Sequence, residues 1–239
     1  MEALGNVLIS VAARCLNEEE LIETFIKNHG FADEIIISDG GSTDRTRDIV
    51  DVLHNSYPVR LVSFSERVPG VRGGWRNPEG KHVNFTIDQC KGDWIWLTEI
   101  DAIPSLELQK SIRNIVKNSD KKAVGSRLYY IAPRAKGSAY EHYPALLQGY
   151  GLTCWHKSLG LRADPTRDFD PVIKFEQPQE ILEPPMARVH LSWWTEERLQ
   201  AKRKFYMEVH GLEPTGGKDH PDKKRSREKL PEGIEWRGM

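Results

Sequence analysis

The segment Gly92-Asp93-Trp94-Ile95-Trp96-Leu97-Thr98-Glu99-Ile100-Asp101-Ala102 is an apolar run that ends in two carboxylates spaced one residue apart. A buried strand keeps charge out of its interior, so Glu99 and Asp101 belong where the strand leaves the sheet and opens into a site. In an extended chain, residues i and i+2 project to the same side. Two carboxylates held there repel each other unless a cation lies between them, and hard divalent ions such as Mg²⁺ or Mn²⁺ favour oxygen ligands. The pair therefore reads either as half of a metal site or as a solvated turn at a strand end, and the motif alone supports both.

The elements that must position this pair follow from hydrophobic periodicity. Val7 to Ala13 has the composition of a buried strand, and Glu18 to Asn28 that of a helix with Leu21, Ile22, Phe25 and Ile26 on one face, stopped by Gly30. Glu34 to Ser38 is a second strand. Asp39-Gly40-Gly41-Ser42-Thr43-Asp44 is a turn rich in capping residues that opens a helix carrying Ile49, Val50 and Leu53, and Val59 to Phe64 is a third strand. Strands and helices alternating at this spacing predict an α/β fold, a mostly parallel central sheet with helices on both faces, whose ligands lie beyond the carboxyl ends of the strands.

Further along, Ser65 to Lys81 carries Arg67, Gly70, Arg72, Gly73, Gly74 and Arg76 and reads as a mobile loop. Val83 to Cys90 reads as a short helix, Pro104 to Asn118 as a helix with Leu108, Ile112, Ile115 and Val116 inward, and Ala123 to Ile131 as a strand. From Ala132 to Pro185 the period is lost among aromatics, prolines and charges. Such a region is either shaped around a ligand or holds regular structure that periodicity does not reveal. Val189 to Trp194 is extended and Glu196 to His210 helical. Residues 1–211 form one domain, and 212–239, with Lys223-Lys224-Arg225, a flexible basic tail.

Bulk properties exclude several classes. A chain of 239 residues with net charge −1 has no strong overall field to attract nucleic acid or a membrane. Cys15, Cys90 and Cys154 are odd in number, far apart and without a CxxC pair, which argues against a disulfide framework and a cysteine zinc site. A reducing, cytoplasmic compartment is expected. The apolar stretch from Val7 to Ala13 has no basic lead-in and is too short for a signal core, and no run approaches the roughly 20 apolar residues of a membrane span, so secretion and integral membrane insertion are not expected.

Four segments, in this order, resemble the family-2 glycosyltransferases of GT-A (Rossmann-like) fold. They are Val11-Ala12-Ala13-Arg14-Cys15-Leu16-Asn17-Glu18-Glu19, then Ile37-Ser38-Asp39-Gly40-Gly41-Ser42-Thr43-Asp44-Arg45-Thr46, then Asn84 eight residues before Gly92-Asp93-Trp94, and Glu99-Ile100-Asp101 in the place of the family's DxD motif. The resemblance covers roughly the first half of the chain. It implies transfer of a sugar from a nucleoside diphosphate donor, a UDP- or GDP-sugar, to an acceptor hydroxyl, usually with inversion and assisted by a divalent metal, Mn²⁺ or Mg²⁺. The acceptor expected is a glycan, a lipid-linked molecule or a small molecule.

Residue by residue, the resemblance implies that Ala13, Arg14, Asn17 and Glu18 line the donor site at the first strand end. Asp39 would contact the nucleobase, or else cap the turn. Asn84 and Glu99 complete the donor contacts, and Asp101 and Glu99 hold the metal. Glu99 departs from the family's more frequent aspartate. His190, in Ala187-Arg188-Val189-His190-Leu191-Ser192-Trp193-Trp194, takes the place of a late metal or diphosphate ligand, or is a packed structural histidine; neutral imidazole suits Mn²⁺. Arg198 and Lys202, with Arg203, would close over the diphosphate. A general base must take the acceptor proton, and Asp164, Asp168 and Asp170 cluster where the family's base would lie. Asp168 is the first choice and Asp170 the second, against a solvated acidic loop. Glu141 and His142 are candidate acceptor contacts.

Two other functions compete. The glutamate at position 99 suits a sugar-nucleotide-binding module without catalysis. From Arg198 onward 11 Lys and Arg stand against 7 Asp and Glu, which suits the same chemistry on a nucleic-acid acceptor, although a basic tail is more often simply solvated. A nucleotidyltransferase lacks support, because no glycine-rich basic loop directly follows the first strand.

Overall fold

The computed structural model describes residues 8–69, 75–131, 144–167, 173, 175, 180–191, 195–205, 207, 208 and 227–237. The first half alternates as the periodicity predicts: β1 (Ile9–Cys15), α1 (Ile22–Asn28), β2 (Glu34–Asp39), α2 (Thr46–Leu53) and β3 (Val59–Ser63). After a hairpin of β4 (Val68–Pro69) and β5 (Trp75–Arg76) come α3 (Glu79–Asp88), β6 (Trp94–Glu99), β7 (Ala102–Pro104), α4 (Leu106–Asn118) and β8 (Ala123–Ile131). β9 (Pro144–His156), β10 (Glu180–His190), α5 (Glu196–Phe205) and β11 (Arg227–Lys229) complete the order.

The central sheet runs β3-β2-β1-β6-β9-β8-β10-β7, with β11 pairing β9. β3, β2, β1 and β6 are parallel neighbours, so their carboxyl ends share one edge. β9 enters antiparallel between β6 and β8, β10 lies parallel to β8, and β7 pairs antiparallel with β10. Alternation along the strands divides the core. Ile9, Val11, Ala13 and Cys15 of β1 and Ile35 and Ile37 of β2 pack with Ile22, Phe25 and Ile26 of α1, Val50 of α2 and Leu108 and Ile112 of α4. On the other face, Ile95 packs with Val83 and Ile87 of α3 and Trp155 of β9. Helices thus cover both faces. α4 starts sharply because Ser105 Oγ accepts from Leu108 N at 3.2 Å, which satisfies one of the amides a helix start leaves unpaired.

The structure corrects several expectations. α1 begins at Ile22 and not at Glu18, because Asn17 adopts a left-handed φ of 55° and the chain turns before it coils. The segment read as a mobile loop, Ser65 to Lys81, contains the β4–β5 hairpin and the start of α3. The irregular region contains β9 and the first part of β10. The C-terminal residues expected to be a flexible basic tail include β11, paired antiparallel to β9, and Ile234, buried in the main core. Asn28, itself buried, accepts from Arg237 N and donates to Arg237 O, both at 3.1 Å, and Leu106 N donates to Glu235 O at 2.6 Å. Residues 227–237 are therefore part of the fold. No helix among the described residues is long and apolar enough to cross a membrane.

Candidate active site

The carboxyl edge of the parallel strands gathers the candidate residues. Arg14 pairs in register with Ser38 on one side and Glu99 on the other, and Cys15 pairs with Asp39. Glu99 is the last residue of β6, and Asp101 lies in the turn before β7. The short β7–β10 ladder sets Ala102 opposite His190, and Leu191 N donates to Asp101 O at 2.7 Å. That ladder brings a histidine 91 positions away against the β6 turn. His190 Nε2 lies 2.6 Å from Glu99 Oε2 and 3.3 Å from Asp101 Oδ1. One ligand atom from each of the three residues falls within 4.8 Å of the others. The side chains of Asp101 and His190 are each 4% exposed, whereas that of Glu99 is 62% exposed. Two carboxylate oxygens and one imidazole nitrogen make a donor set that fits Mn²⁺, whose preferences span oxygen and imidazole ligands.

α5 adds cations to this acidic edge. Lys202 Nζ donates to Asp101 Oδ2. Arg198 reaches the loop between β1 and α1, pairing with Glu18 at 3.2 Å and Glu20 at 3.0 Å. Burial and the nearby Asp101 carboxylate push the Glu18 carboxyl up, and Arg198 and Lys202 only partly offset them. Crowding also tends to raise Glu99, yet its hydrogen bond and charge interaction with His190, helped by Lys202, hold that carboxyl below its ordinary value. Carboxylates concentrated against cations in one cleft are the electrostatic arrangement expected where a charged ligand is bound.

The second pocket lies at the end of β2. Asp39 is fully buried, its Oδ1 accepts from Ser42 N at 3.0 Å and from the Cys15 thiol at 3.7 Å, and Arg47 Nη1 faces Oδ2 at 3.4 Å. Oδ2 accepts no hydrogen bond among the described residues. Arg67 donates to the carbonyls of Gly40 at 2.7 Å and Gly41 at 3.3 Å, so the segment before the hairpin straps the turn in place. Asn17 ties the first strand end to the same turn by accepting from Thr43 N at 2.8 Å. Behind the pocket His82 is stacked on Phe64, ring centroids 4.3 Å apart, and its Nε2 is 2.8 Å from Ser38 Oγ. Sequence reasoning missed Arg47, Glu79, Phe64 and His82; a basic residue in the first turn of the helix that follows Asp39 was the available signal for Arg47.

Burial, reinforced by Arg14, pushes His82 down to about 3, and burial pushes His29, packed against Trp96, down to about 4. Both are neutral in the folded protein, whereas in the unfolded chain they take up protons below about 6.5. Their contribution to stability is complete above pH 6.5 and is lost as pH falls from there toward 3 to 4. Each removes about 1.4 kcal/mol per pH unit within that window. Urea unfolding at pH 7 and pH 5 should show a fall in stability smaller by roughly 2 kcal/mol in His82→Gln than in the parent. An equal fall in both proteins would show that His82 is not held neutral.

The structure brings Glu18, Glu99, Asp101, His190, Arg198 and Lys202 together, with Asp39 across β1, and sets other expected residues apart. Ala13 is wholly buried on the core face of β1 and has no side-chain access to a donor. Asn84 exchanges two hydrogen bonds with the backbone of Ala163, both at 2.9 Å, and so clamps the chain segment that leads to Asp164. Arg14 is 3.5 Å from Glu79 of α3, on the face opposite Ala13. Asn17 serves as the pin between two loops. Asp164 accepts from Thr166 N at 2.9 Å and Thr166 Oγ at 2.6 Å within its own turn. Asp168, Asp170, Glu141 and His142 lie outside the described residues.

Comparison with known proteins adds an independent view. The sequence model described as Glycosyl transferase family 2 matches residues 10–173. Among solved structures, TarS 1–349 from S. aureus aligns with a TM-score of 0.55 at 13% identity over 85% of this chain and 66% of that one. The same protein in complex with UDP-GlcNAc aligns at 0.50 and 14%, over 91% and 69%. The mannosyltransferase PcManGT from Pyrobaculum calidifontis, in complex with GDP-Man and Mn²⁺, aligns at 0.52 and 17%, over 82% of this chain and 59% of that one. At these identities the likeness is one of fold. The chain spans 66% of the TarS 1–349 chain and 46% of the longer TarS structure. No curated protein sequence matches it.

Proposed function

This chain belongs to glycosyl transferase family 2, and on that premise we propose that it moves a sugar from a nucleoside diphosphate donor to an acceptor hydroxyl, with a divalent metal and with inversion. The observation that carries the reading is the cluster of Glu99, Asp101 and His190 at the end of β6, set beside the buried Asp39 at the end of β2. Only β1 separates these two strand ends, and at one sheet spacing per strand they stand roughly 10 Å apart, a separation suited to a nucleoside between base and diphosphate.

In this reading Asp39 accepts an N–H from the base, with Arg47 beside it to meet a base carbonyl. Asp101 and His190, both buried, would hold Mn²⁺ or Mg²⁺, with the exposed Glu99 beside them. An ion held there would supply positive charge against the negative charge that develops on the departing diphosphate. Arg198 and Lys202 present further positive charge to the same phosphates, and Asp168, or Asp170 in its place, takes the proton from the acceptor hydroxyl on the face opposite the leaving group. The acceptor is a glycan, a lipid-linked molecule or a small molecule. Three free cysteines, two of them buried, support a reducing, cytoplasmic setting. Structures of this fold bound to UDP-GlcNAc and GDP-Man make both nucleotide classes the donors to test.

The full chain, incubated with Mn²⁺ and a panel of UDP- and GDP-sugars, should release nucleoside diphosphate slowly from one donor class and stop when the metal is chelated. Nucleotide binding without release from any donor would overturn catalysis in favour of a binding module.

A further inference from the structure

We propose that Lys202 couples metal binding to nucleotide binding: its ammonium group holds Asp101 until a divalent ion and a diphosphate arrive together. The proposal rests on the donor and metal site described above and concerns how that site is filled. Lys202 Nζ donates to Asp101 Oδ2, and the other oxygen of the same carboxylate, Oδ1, is 3.3 Å from His190 Nε2. Asp101 is therefore shared between the metal-ligand cluster and a lysine on α5. A divalent ion bound to Asp101 and the ammonium on the same carboxylate repel each other, so an incoming ion drives Lys202 off.

The surroundings determine which part moves. Arg198, one turn earlier on α5, is fastened by ion pairs to Glu18 and Glu20 in the loop between β1 and α1, which docks the start of the helix. Asp101 is 4% exposed in a turn whose backbone carbonyl accepts from Leu191 N, so it stays in place. Lys202 is 27% exposed and has a flexible four-carbon stem, so its side chain swings and the helix does not. Displaced into water alone, the ammonium loses a buried charged partner and the ion binds weakly. Displaced in the presence of a nucleoside diphosphate, it finds phosphate oxygens within reach of the same helix. The same residue thus opposes the free ion and favours the ion together with nucleotide, a positive coupling of two ligands through one side chain.

Titration calorimetry with Mn²⁺, alone and with saturating UDP or GDP, tests this on the parent 239-residue chain, Lys202→Met and Lys202→Arg. Lys202→Met should bind Mn²⁺ alone about tenfold more tightly than the parent, and the factor by which nucleotide tightens Mn²⁺ should shrink by about the same amount. Lys202→Arg keeps the charge and should restore weak binding of the free ion and its tightening by nucleotide relative to Lys202→Met. A residue that merely stabilised the cleft would weaken both ligands when removed, so tighter binding of the free ion is the distinguishing readout. If Lys202→Met does not fold, Lys202→Gln replaces it. Unchanged or weaker Mn²⁺ binding in the folded variant overturns the coupling while leaving the site reading intact. Absence of both Mn²⁺ and nucleotide binding in the parent overturns the coupling and the site reading together.

Discussion

Asp101→Asn is expected to lower metal-dependent sugar release by about a thousandfold while the protein remains folded. The substitution keeps shape and volume but removes the charge that attracts a divalent ion, at the one carboxylate in the cluster that is both buried and held by its own backbone. Two consequences for stability oppose each other. Lys202 loses its anionic partner, but it is part-exposed and turns to water, whereas the acidic cluster loses one of its mutually repelling carboxylates. The loss of turnover should therefore far exceed any loss of stability. Initial rates of nucleoside diphosphate release at saturating Mn²⁺, beside circular dichroism and thermal melting of the same samples, separate the two. Turnover within tenfold of the parent would place the ion elsewhere.

How much of this site was legible in the sequence depends on the distance over which each contact is made. Local periodicity reads the strand ends to within two residues, at Ala13, Ser38 and Leu97 against Cys15, Asp39 and Glu99 in the structure, because parallel strands buried on both faces read as short apolar runs. The pairing of Glu99 with Asp101 also lies within three residues. The contact between His190 and Glu99 does not: it requires β10 to run beside β8 and β7 to fold back onto β10, and neither pairing has a local signal. Lys202 meets Asp101 for the same non-local reason.

β9 was obscured by its composition. Pro144, Gly149 and Gly151 interrupt the alternation, and Gly151 is placed where the Arg188 guanidinium approaches to 2.8 Å of the point a Cβ would occupy. The register of β9 against β8 also shifts twice, which breaks a period-two pattern even where the strand is continuous. Ala13 and Asn84 show the converse case. Both stand in segments whose order resembles the family, yet one side chain faces the core and the other is engaged by a backbone neighbour 79 positions away. Motif membership located the segment; strand alternation and long-range hydrogen bonding decided what each residue does within it.

The second large effect is expected at Asp39, and it should appear in binding before chemistry. Asp39→Asn keeps an oxygen to accept from Ser42 N, so the turn that opens α2 retains its tie. The amide nitrogen then replaces Oδ2, the buried oxygen that accepts no hydrogen bond among the described residues and faces Arg47 at 3.4 Å. An N–H of the nucleobase that would have met an acceptor now meets another donor, and a buried polar group left unmatched costs about 1 to 3 kcal/mol. That corresponds to donor affinity weakened on the order of 10- to 100-fold, with turnover at saturating donor changed far less, because the reacting bond lies two strands away at the Glu99–Asp101 edge. Calorimetric titration of the parent and Asp39→Asn with UDP and GDP in Mn²⁺ reads the first quantity, and initial rates across a donor series read the second. A normal affinity for both nucleotides would remove Asp39 from the base pocket. A normal affinity joined to slow turnover would instead move it toward the reacting end, which the separation of the β2 and β6 ends disfavours.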